Sequence, residues 1–266
     1  MRFFLFTSLL MLVAACATTS TQAPQPLNAE QPTVLITGAN RGLGLQFARQ
    51  YAALGWNVIA TCRDPSQATE LQNLAAANPY VRVEQLDVTS DEQTAALKAR
   101  YPDQPVDVLL NNAGIYGTLE KQTLGNFDFD ELERVMQVNA IGSLRVSEAF
   151  LENVKASQQK KIISLGGGMG TQSIGSLFGG HYFIKMSKSA HLMAMGVLQK
   201  DTKKDGLIIT MISPGRVDTQ LMRDSGWTGP SISAEESATL VIEQIGKLDK
   251  SMRGKLITYD GTLIPW

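Results

Sequence analysis

Short apolar runs alternate with segments of helical spacing along nearly the whole chain, and this alternation restricts the fold more than any other feature. The first run, residues 34–36, precedes a helical pattern over residues 43–54, and the order repeats up to a last run at residues 256–258. Strands that alternate with helices form a parallel sheet with helices on both faces. Purely apolar strands suit a sheet that is covered on both sides. We therefore predict an α/β fold with a doubly wound parallel sheet, in a single domain over residues 33–266.

The other elements are predicted from the same patterns. The predicted strands are 34–36, 58–60, 81–83, 106–110, 161–165, 207–212 and 256–258. The predicted helices are 43–54, 67–77, 91–99, 129–154, 183–200 and 234–245. A sheet of this kind can use about 250 residues as one domain.

The first 32 residues do not fit the α/β pattern. Arg2 precedes an apolar run over residues 3–13, which is about half the length that spans a bilayer. One positive charge, a short apolar run and then small residues are typical of an export signal, so we predict a signal peptide over residues 1–15. Residues 16–32 are rich in Thr, Ser, Gln, Ala and Pro, and we predict a flexible tether there.

The segment that ends at Cys16 resembles a bacterial lipobox, with small residues directly before the cysteine. The resemblance implies that Cys16 is acylated and holds the protein on a bacterial membrane. Ala17 is not the aspartate that signals inner-membrane retention, which favours the outer membrane and the periplasm. The alternatives are a plain secretory signal and a cytoplasmic protein with a misassigned start codon.

Charge and cysteine content exclude several classes of protein. The net charge is −1, with 24 basic and 25 acidic residues, so no basic excess points to a nucleic acid partner. Two cysteines and two histidines cannot form a disulfide scaffold or a cysteine-rich zinc site. We therefore predict no metal site.

A glycine-rich segment follows the first predicted strand directly. Residues 37–44 read TGANRGLG, and the first predicted helix begins at once. Glycines are needed where the backbone turns sharply and comes close to a phosphate. The N-terminus of the following helix presents free N–H groups to an anion. The strand–loop–helix context therefore predicts a phosphate-binding loop.

These residues and four further motifs resemble the short-chain dehydrogenase/reductase family. The motifs are LDV at 86–88, NNAG at 111–114, VNA at 138–140 and SPGRVDT at 213–219. The C-terminal YDG and IPW sequences resemble the C-factor-like branch of carbonyl reductases. The resemblance implies a Rossmann fold, a nicotinamide cofactor and a small carbonyl or alcohol substrate. It also implies a homodimer that forms through the two long predicted helices.

The predicted cofactor site combines the glycine-rich segment with the other motifs. Its residues are Gly38, Asn40, Arg41, Gly42, Leu43, Gly44, Arg63, Asp87, Val88, Asn112, Ala113, Gly114, Lys188, Pro214, Gly215, Val217 and Thr219. An NAD site generally has a carboxylate at the end of the second strand, where this chain has Cys62. The guanidinium groups of Arg63 and Arg41 suit a 2′-phosphate, so NADP(H) is favoured over NAD(H). The alternative is that both arginines are solvated loop residues.

Two of the family's four catalytic groups are retained. The sequence SKSA at 187–190 identifies Lys188 as the family's lysine, and Asn139 stands for its asparagine. The family's tyrosine comes four residues before the lysine, so that both lie on one helix face. Ile184 occupies that position here. The family's serine position is Gly167, or Gly166 if the alignment slips by one.

Without these groups, a proton donor must come from elsewhere. Tyr182 is the nearest tyrosine and is predicted as the substitute donor, with His181 or water as alternatives. Tyr182 stands six residues before Lys188, which is about 240° of net rotation, so on a regular helix it points away from the lysine. General acid–base groups contribute about 10² to 10⁴-fold to a rate.

Two hypotheses of function follow. The first is an NADP(H)-binding oxidoreductase for carbonyl or alcohol groups, with a reorganised active site. The second is a catalytically silent surface lipoprotein that uses the nucleotide-binding fold for binding or signalling. The intact cofactor motifs favour the first, whereas Ile184, Gly167 and the apparent lipobox favour the second.

Overall fold

The central element of the computed structural model, which describes residues 26–266, is one eight-stranded sheet. The strand order is β3-β2-β1-β4-β5-β6-β7-β8. The strands are β1 Thr33–Ile36, β2 Asn57–Cys62, β3 Val81–Gln85, β4 Val108–Asn111, β5 Lys161–Leu165, β6 Ile208–Ser213, β7 Leu256–Thr258 and β8 Leu263–Ile264. Strands β1 to β7 are parallel, which confirms the predicted doubly wound α/β fold. The last strand differs, because β8 pairs with β7 in the antiparallel direction.

Helices connect the strands and cover both faces of the sheet. They are α1 Gly42–Ala53, α2 Thr69–Ala77, α3 Asp91–Arg100, α4 Phe129–Met136, α5 Gly142–Ala149, α6 Leu151–Lys155, α7 Gln172–Gly175, α8 Tyr182–Asp201, α9 Gln220–Asp224 and α10 Ala234–Lys247. Side-chain caps define several of their starts. Ser90, Asp128 and Ser233 each accept a backbone N–H bond at the beginning of α3, α4 and α10.

The sheet separates two apolar cores, and the alternation along β1 shows how. Val34 and Ile36 pack into one core, whereas Leu35 packs into the other. Residues of a strand point alternately to the two faces, so an entirely apolar strand supplies both cores. The fully buried Phe47 of α1 lies in the first core, and the fully buried Phe150 lies in the second. Each such side chain contributes about 1.5–3 kcal/mol through burial.

The long helix predicted over residues 129–154 is interrupted. A π-helical turn at Gln137–Ile141 separates α4 from α5, and Phe150 separates α5 from α6. A π turn inserts one residue into the helix and is common at functional sites. Here it holds Asn139, which is buried.

Residues 26–32 fall within the predicted tether, and they contact the sheet at the amino end of β2. The Asn28 N–H donates to Asn57 Oδ1 at 2.9 Å, and Asn57 Nδ2 donates back to the Asn28 carbonyl at 2.7 Å. Leu27 packs against the second core. The contacts of the domain therefore begin before Thr33.

The predicted signal peptide, Cys16 and the first part of the tether lie outside the described residues. Between residues 26 and 266, none of the helices is long and apolar enough to span a bilayer.

Candidate active site

The glycine-rich segment forms a tight loop between β1 and α1. Gly38 and Gly42 have φ angles of 67° and 53°, which favour glycine over other residues. A methyl group on Gly44 would overlap the Gly38 carbonyl oxygen and lie 2.5 Å from Asn112 Nδ2. All three glycines are therefore required by the backbone, as predicted for a loop that approaches a phosphate.

The N-terminus of α1 offers a site for an anion. No side chain caps this helix at Arg41, and its first turn carries no acidic residue. The N–H groups of the first turn and the positive end of the helix dipole therefore remain available to a phosphate. A dinucleotide pyrophosphate fits this end of the helix.

Asn112 connects the loop to the end of β4. Its Nδ2 donates to the carbonyls of Thr37 and Gly38 at 2.8 and 3.0 Å. The Thr37 hydroxyl in turn accepts from the N–H groups of Asn112 and Ala113, both at 3.0 Å. The NNAG motif is therefore the structural support of the phosphate loop.

The end of β2 carries positive charge. Cys62 is buried, and burial, followed by the nearby Asp64 carboxylate, raises the pKa of its thiol. Arg63 and Arg41 are exposed. Neither guanidinium forms an ion pair with any residue in the described range. Both are available to a ligand such as a ribose phosphate.

The third strand leads to Asp87 and Val88, two of the predicted cofactor-binding residues. Asp87 Oδ1 accepts from the Thr89 N–H at 2.9 Å and from the Thr89 hydroxyl at 2.7 Å. The next residue, Val88, is buried, and a methyl group on Gly142 of α5 would lie 2.7 Å from its Cγ2 atom. Close packing against α5 therefore sets the position of this segment.

The segment after β6 closes the other side of the site. Gly215 has a φ of 87°, and a methyl group there would lie 2.7 Å from the Tyr259 ring. The Pro214 carbonyl accepts a hydrogen bond of 2.7 Å from Ser237. Val217 is buried. Thr219 reaches the phosphate loop, because its Cγ2 would lie 3.4 Å from a methyl group on Gly42.

The structure brings Lys188 and Asn139, the two residues predicted to keep catalytic roles, to the carboxyl ends of β4 and β5. Lys188 Nζ donates to the Leu165 carbonyl at 3.0 Å and lies 3.8 Å from where a methyl group on Gly114 would be. Burial lowers the pKa of Lys188 to about 8. Asn139 exchanges two hydrogen bonds with the Ile115 backbone, with Oδ1 accepting at 2.8 Å and Nδ2 donating at 2.9 Å.

The two replaced positions face different surroundings. Ile184 is buried in the first turn of α8, so an alkyl side chain lies one helical turn before Lys188. A methyl group on Gly167 would meet no atom within 4 Å. Ser164 lies inside β5 and accepts from Asn111 at 3.3 Å, so its hydroxyl belongs to the interior of the sheet.

Tyr182, the predicted substitute donor, lies at the surface end of α8. Its ring packs against Phe127, with ring centroids 4.9 Å apart. The structure does not join Tyr182 to Lys188 by a hydrogen bond.

Tyr116 is a site residue that sequence reasoning missed. Its hydroxyl lies 2.7 Å from His181 Nδ1, in a hydrogen bond. Gln122 Nε2 donates to the Tyr116 carbonyl at 3.0 Å, and Gln122 Oε1 accepts from the Ile184 N–H at 3.2 Å. The only sequence signal is a phenol two residues after the NNAG motif.

The fold and the site together define a nicotinamide-dependent oxidoreductase of the Rossmann type. Residues 32–228 match the family described as short chain dehydrogenase, and the chain belongs to that family. The family expectation is therefore confirmed.

Two curated relatives are each 32% identical to parts of this chain. The chain is 32% identical over 240 residues to 1-hydroxy-2-glutathionyl-2-methyl-3-butene dehydrogenase of Rhodococcus sp. strain AD45, which covers 88% of this chain and 99% of that protein. It is also 32% identical over 162 residues to C-signal of Myxococcus xanthus, over 61% of this chain and 93% of that protein.

A solved structure with bound cofactor is also similar. The NADPH-bound carbonyl reductase from chicken fatty liver matches with a TM-score of 0.81 and 28% identity, over 89% of this chain and 99% of that chain.

Proposed function

We propose that the protein binds NADP(H) and reduces a carbonyl group of a small molecule, or oxidises the corresponding alcohol. The observation that carries this proposal is the phosphate loop, where a methyl group on Gly44 would overlap the backbone at Gly38. A loop packed this closely leaves room for a phosphate only beside the N-terminus of α1. The similarity to an NADPH-bound carbonyl reductase supports the same conclusion.

The preference for NADP(H) rests on Arg41 and Arg63. Both guanidinium groups are exposed and unpaired within the described part of the chain, on either side of the ribose position that the fold predicts. Cys62 keeps a neutral thiol there, because burial raises its pKa. A 2′-phosphate would thus meet two cations and no carboxylate at the position of Cys62.

NADPH supplies a hydride to the carbonyl carbon when it is bound. Lys188 is held by the Leu165 carbonyl beside Gly114, where it can donate to the ribose hydroxyls. Its depressed pKa lets it exchange a proton near neutral pH. Asn139 fixes the backbone at Ile115, the residue directly after the NNAG motif.

The test has two readouts. NADPH binding is measured by fluorescence or calorimetry, and NADPH oxidation is measured against a panel of aldehydes, ketones and quinones. We expect tight NADPH binding, weaker NADH binding, and turnover of some members of the panel. Failure to bind either dinucleotide would rule out the proposal.

A second candidate function is favoured by Ile184 and Gly167. Both positions lack the hydroxyl that family chemistry uses, and similarity to C-signal extends over 61% of the chain. In this alternative the protein binds dinucleotide without turnover and acts as a surface lipoprotein in binding or signalling. Tight NADPH binding with no oxidation across the whole panel would favour it.

We also propose that Cys16 is acylated and that the protein resides at the bacterial outer membrane, facing the periplasm. Mass spectrometry of the mature N-terminus tests this directly, because a diacylglycerol-modified Cys16 would be the first residue. An unmodified N-terminus that retains residues 1–15 would favour the cytoplasm.

The protein is further proposed to form a homodimer through α8. Met186, Met193 and Val197 are exposed along one side of this helix, where a globular protein usually places polar residues. Light scattering coupled to size-exclusion chromatography measures the oligomeric state, and Met193→Glu should convert a dimer to a monomer.

A further inference from the structure

Tyr116 and His181 form a hydrogen-bonded pair that neither the family motifs nor the retained catalytic residues account for. The Tyr116 hydroxyl lies 2.7 Å from His181 Nδ1, and the two rings meet edge to face with centroids 5.8 Å apart. The Tyr116 side chain is buried, whereas His181 is partly exposed. On its other side the His181 ring contacts Phe178, again edge to face. The pair therefore links a buried phenol to the solvent.

The backbone of Tyr116 lies close to that of Ile184, which occupies the position of the missing tyrosine. His181 is the residue directly before α8, and Ile184 and Lys188 lie one helical turn apart on that helix. The Gln122 side chain donates to the Tyr116 carbonyl and accepts from the Ile184 N–H, so a single amide group bridges the two backbones. Tyr116 also follows Gly114 by two residues, and Gly114 adjoins the Lys188 amine.

The backbone around the pair is held firmly. His181 has a φ of 58°, a left-handed conformation that is uncommon outside glycine and that asparagine, aspartate and histidine adopt more often than other residues. Gly117, directly after Tyr116, has a φ of 81°, and a methyl group there would lie 2.7 Å from Val135. The Thr118 N–H donates to Glu131 at 2.6 Å. Both halves of the pair are therefore positioned by their surroundings.

We infer that Tyr116 is the proton donor of this enzyme and that His181 is its positioning and relay residue. This inference rests on the proposed carbonyl reduction and names the acid that the reaction needs. It replaces Tyr182, which packs against Phe127 at the surface.

The proton balance of the step is as follows. Reduction adds a hydride from the reduced dinucleotide to the carbonyl carbon, and the carbon–oxygen π bond breaks towards oxygen. Tyr116 gives its hydroxyl proton to that oxygen and so completes the alcohol. His181 passes its Nδ1 proton to the phenolate oxygen, and its exposed ring takes up a proton from water at Nε2. The net reaction consumes one hydride and one solvent proton.

The protonation states suit this role. Burial raises the pKa of Tyr116 to about 12, so the phenol keeps its proton at neutral pH. Burial and then the Lys185 ammonium lower the pKa of His181, so the imidazole is neutral and can both donate and accept. An alkoxide is a stronger base than a phenolate, so transfer from Tyr116 to the developing alkoxide is favourable.

The experiment compares kcat, KM and the Kd for NADPH in the full-length protein and four variants. We expect Tyr116→Phe to lower kcat by about 10² to 10⁴-fold while the Kd for NADPH stays unchanged. Asparagine adopts the left-handed backbone of residue 181 readily. His181→Asn should therefore keep the fold, lower kcat by a smaller factor and leave KM unchanged. Tyr80→Phe, an exposed tyrosine beside β3, is the matched control and should leave kcat unchanged. Thermal unfolding shows that each variant is folded.

Each outcome separates the inference from the proposed function. Wild-type turnover together with an unaffected kcat in Tyr116→Phe would overturn the inference and leave the proposed function intact. A loss of kcat in Tyr182→Phe instead would assign the donor to Tyr182. Absence of turnover in the wild-type protein would overturn both the proposed function and the inference.

Discussion

The two halves of the site follow the family pattern to very different extents. Around β1, β4 and the first turn of α1, the loop glycines and Asn112 make the close contacts that the motifs predict. At the end of β5 and the start of α8, Gly167 and Ile184 stand where hydroxyl groups are expected. Backbone geometry governs the first half, whereas individual side-chain chemistry governs the second. The glycine and asparagine contacts cannot change without disturbing the fold, but the hydroxyl groups can.

The strongest test of this contrast restores the lost hydroxyl groups. Ile184→Tyr with Gly167→Ser should raise kcat by about 10² to 10⁴-fold in the Tyr116→Phe background, because a general acid returns one turn before Lys188. In the wild-type background the gain should be small, because Tyr116 already supplies the proton. The rate of NADPH oxidation measures the gain in kcat in both backgrounds.

The matched control for this restoration is Ile184→Phe with Gly167→Ala, which adds similar volume without hydroxyl groups. A serine at Gly167 is accommodated, since its β-carbon meets no atom within 4 Å. Equal gains in the restored and control variants would show that packing, and not acid chemistry, limits the rate.

The next test breaks the well-preserved half. Gly44→Ala places a methyl group against the Gly38 carbonyl and 2.5 Å from Asn112 Nδ2. Overpacking of this kind costs about 1–3 kcal/mol and displaces the loop that is proposed to hold the phosphate, so the Kd for NADPH should rise about 5- to 150-fold. Gly246→Ala is the control, because a methyl group on this residue of α10 meets nothing within 4 Å. Unchanged NADPH affinity in Gly44→Ala would place the dinucleotide elsewhere.

A third test concerns the pH dependence of stability. Burial lowers the pKa of Lys188 to about 8 from its ordinary value of 10.5. Between these values the unfolded state binds more protons than the folded state, so the free energy of unfolding rises with pH. Lys188→Met should lose this rise, which amounts to about 1–2 kcal/mol after allowance for solvent screening. Urea unfolding at pH 8 and pH 10.5 measures the difference.

Lys200→Met is the control for the lysine test, since Lys200 is exposed near the end of the same helix. This variant should keep the wild-type pH dependence. If Lys188→Met kept it as well, the amine would be solvated and its pKa ordinary.

The smallest expected effect concerns the choice of cofactor. Arg41→Ala and Arg63→Ala should each reduce the preference for NADPH over NADH by about two- to fivefold, since exposed charge pairs contribute about 0.2–1 kcal/mol. Arg49→Ala is the control, because Arg49 pairs with Glu70 on the outside of the domain. The ratio of the two dissociation constants is the relevant measurement. If the preference for NADPH over NADH were unchanged in both variants, groups other than Arg41 and Arg63 would recognise the 2′-phosphate.

The strands, the connecting helices and the tight glycine-rich loop after β1 could be predicted from the sequence, because these depend on local periodicity and on glycines at fixed spacing. It did not predict the π turn at Gln137–Ile141, since one inserted residue barely changes the apolar pattern of a long helix. The two residues of β8 are too few to give a strand signal.

The Tyr116–His181 pair escaped prediction for another reason. The two residues stand 65 positions apart, and their contact depends on how β4 and α8 pack. The absence of a phenol at Ile184 could be deduced from the spacing before Lys188. Where a phenol does lie could be learned only from the folded chain.

The contact between Asn28 and Asn57 determines at which end of the sheet a lipid anchor would be attached to the domain. The chain enters the sheet here, at the amino ends of the strands, and the cofactor loops lie at the opposite, carboxyl ends. If Cys16 carries an acyl group, nine residues lie between it and Pro26, and the ten chain steps from Cys16 to Pro26 reach about 36 Å at most. The amino ends of the strands would then lie nearer to the attachment point, and the cofactor loops at the carboxyl ends would lie farther from the lipid.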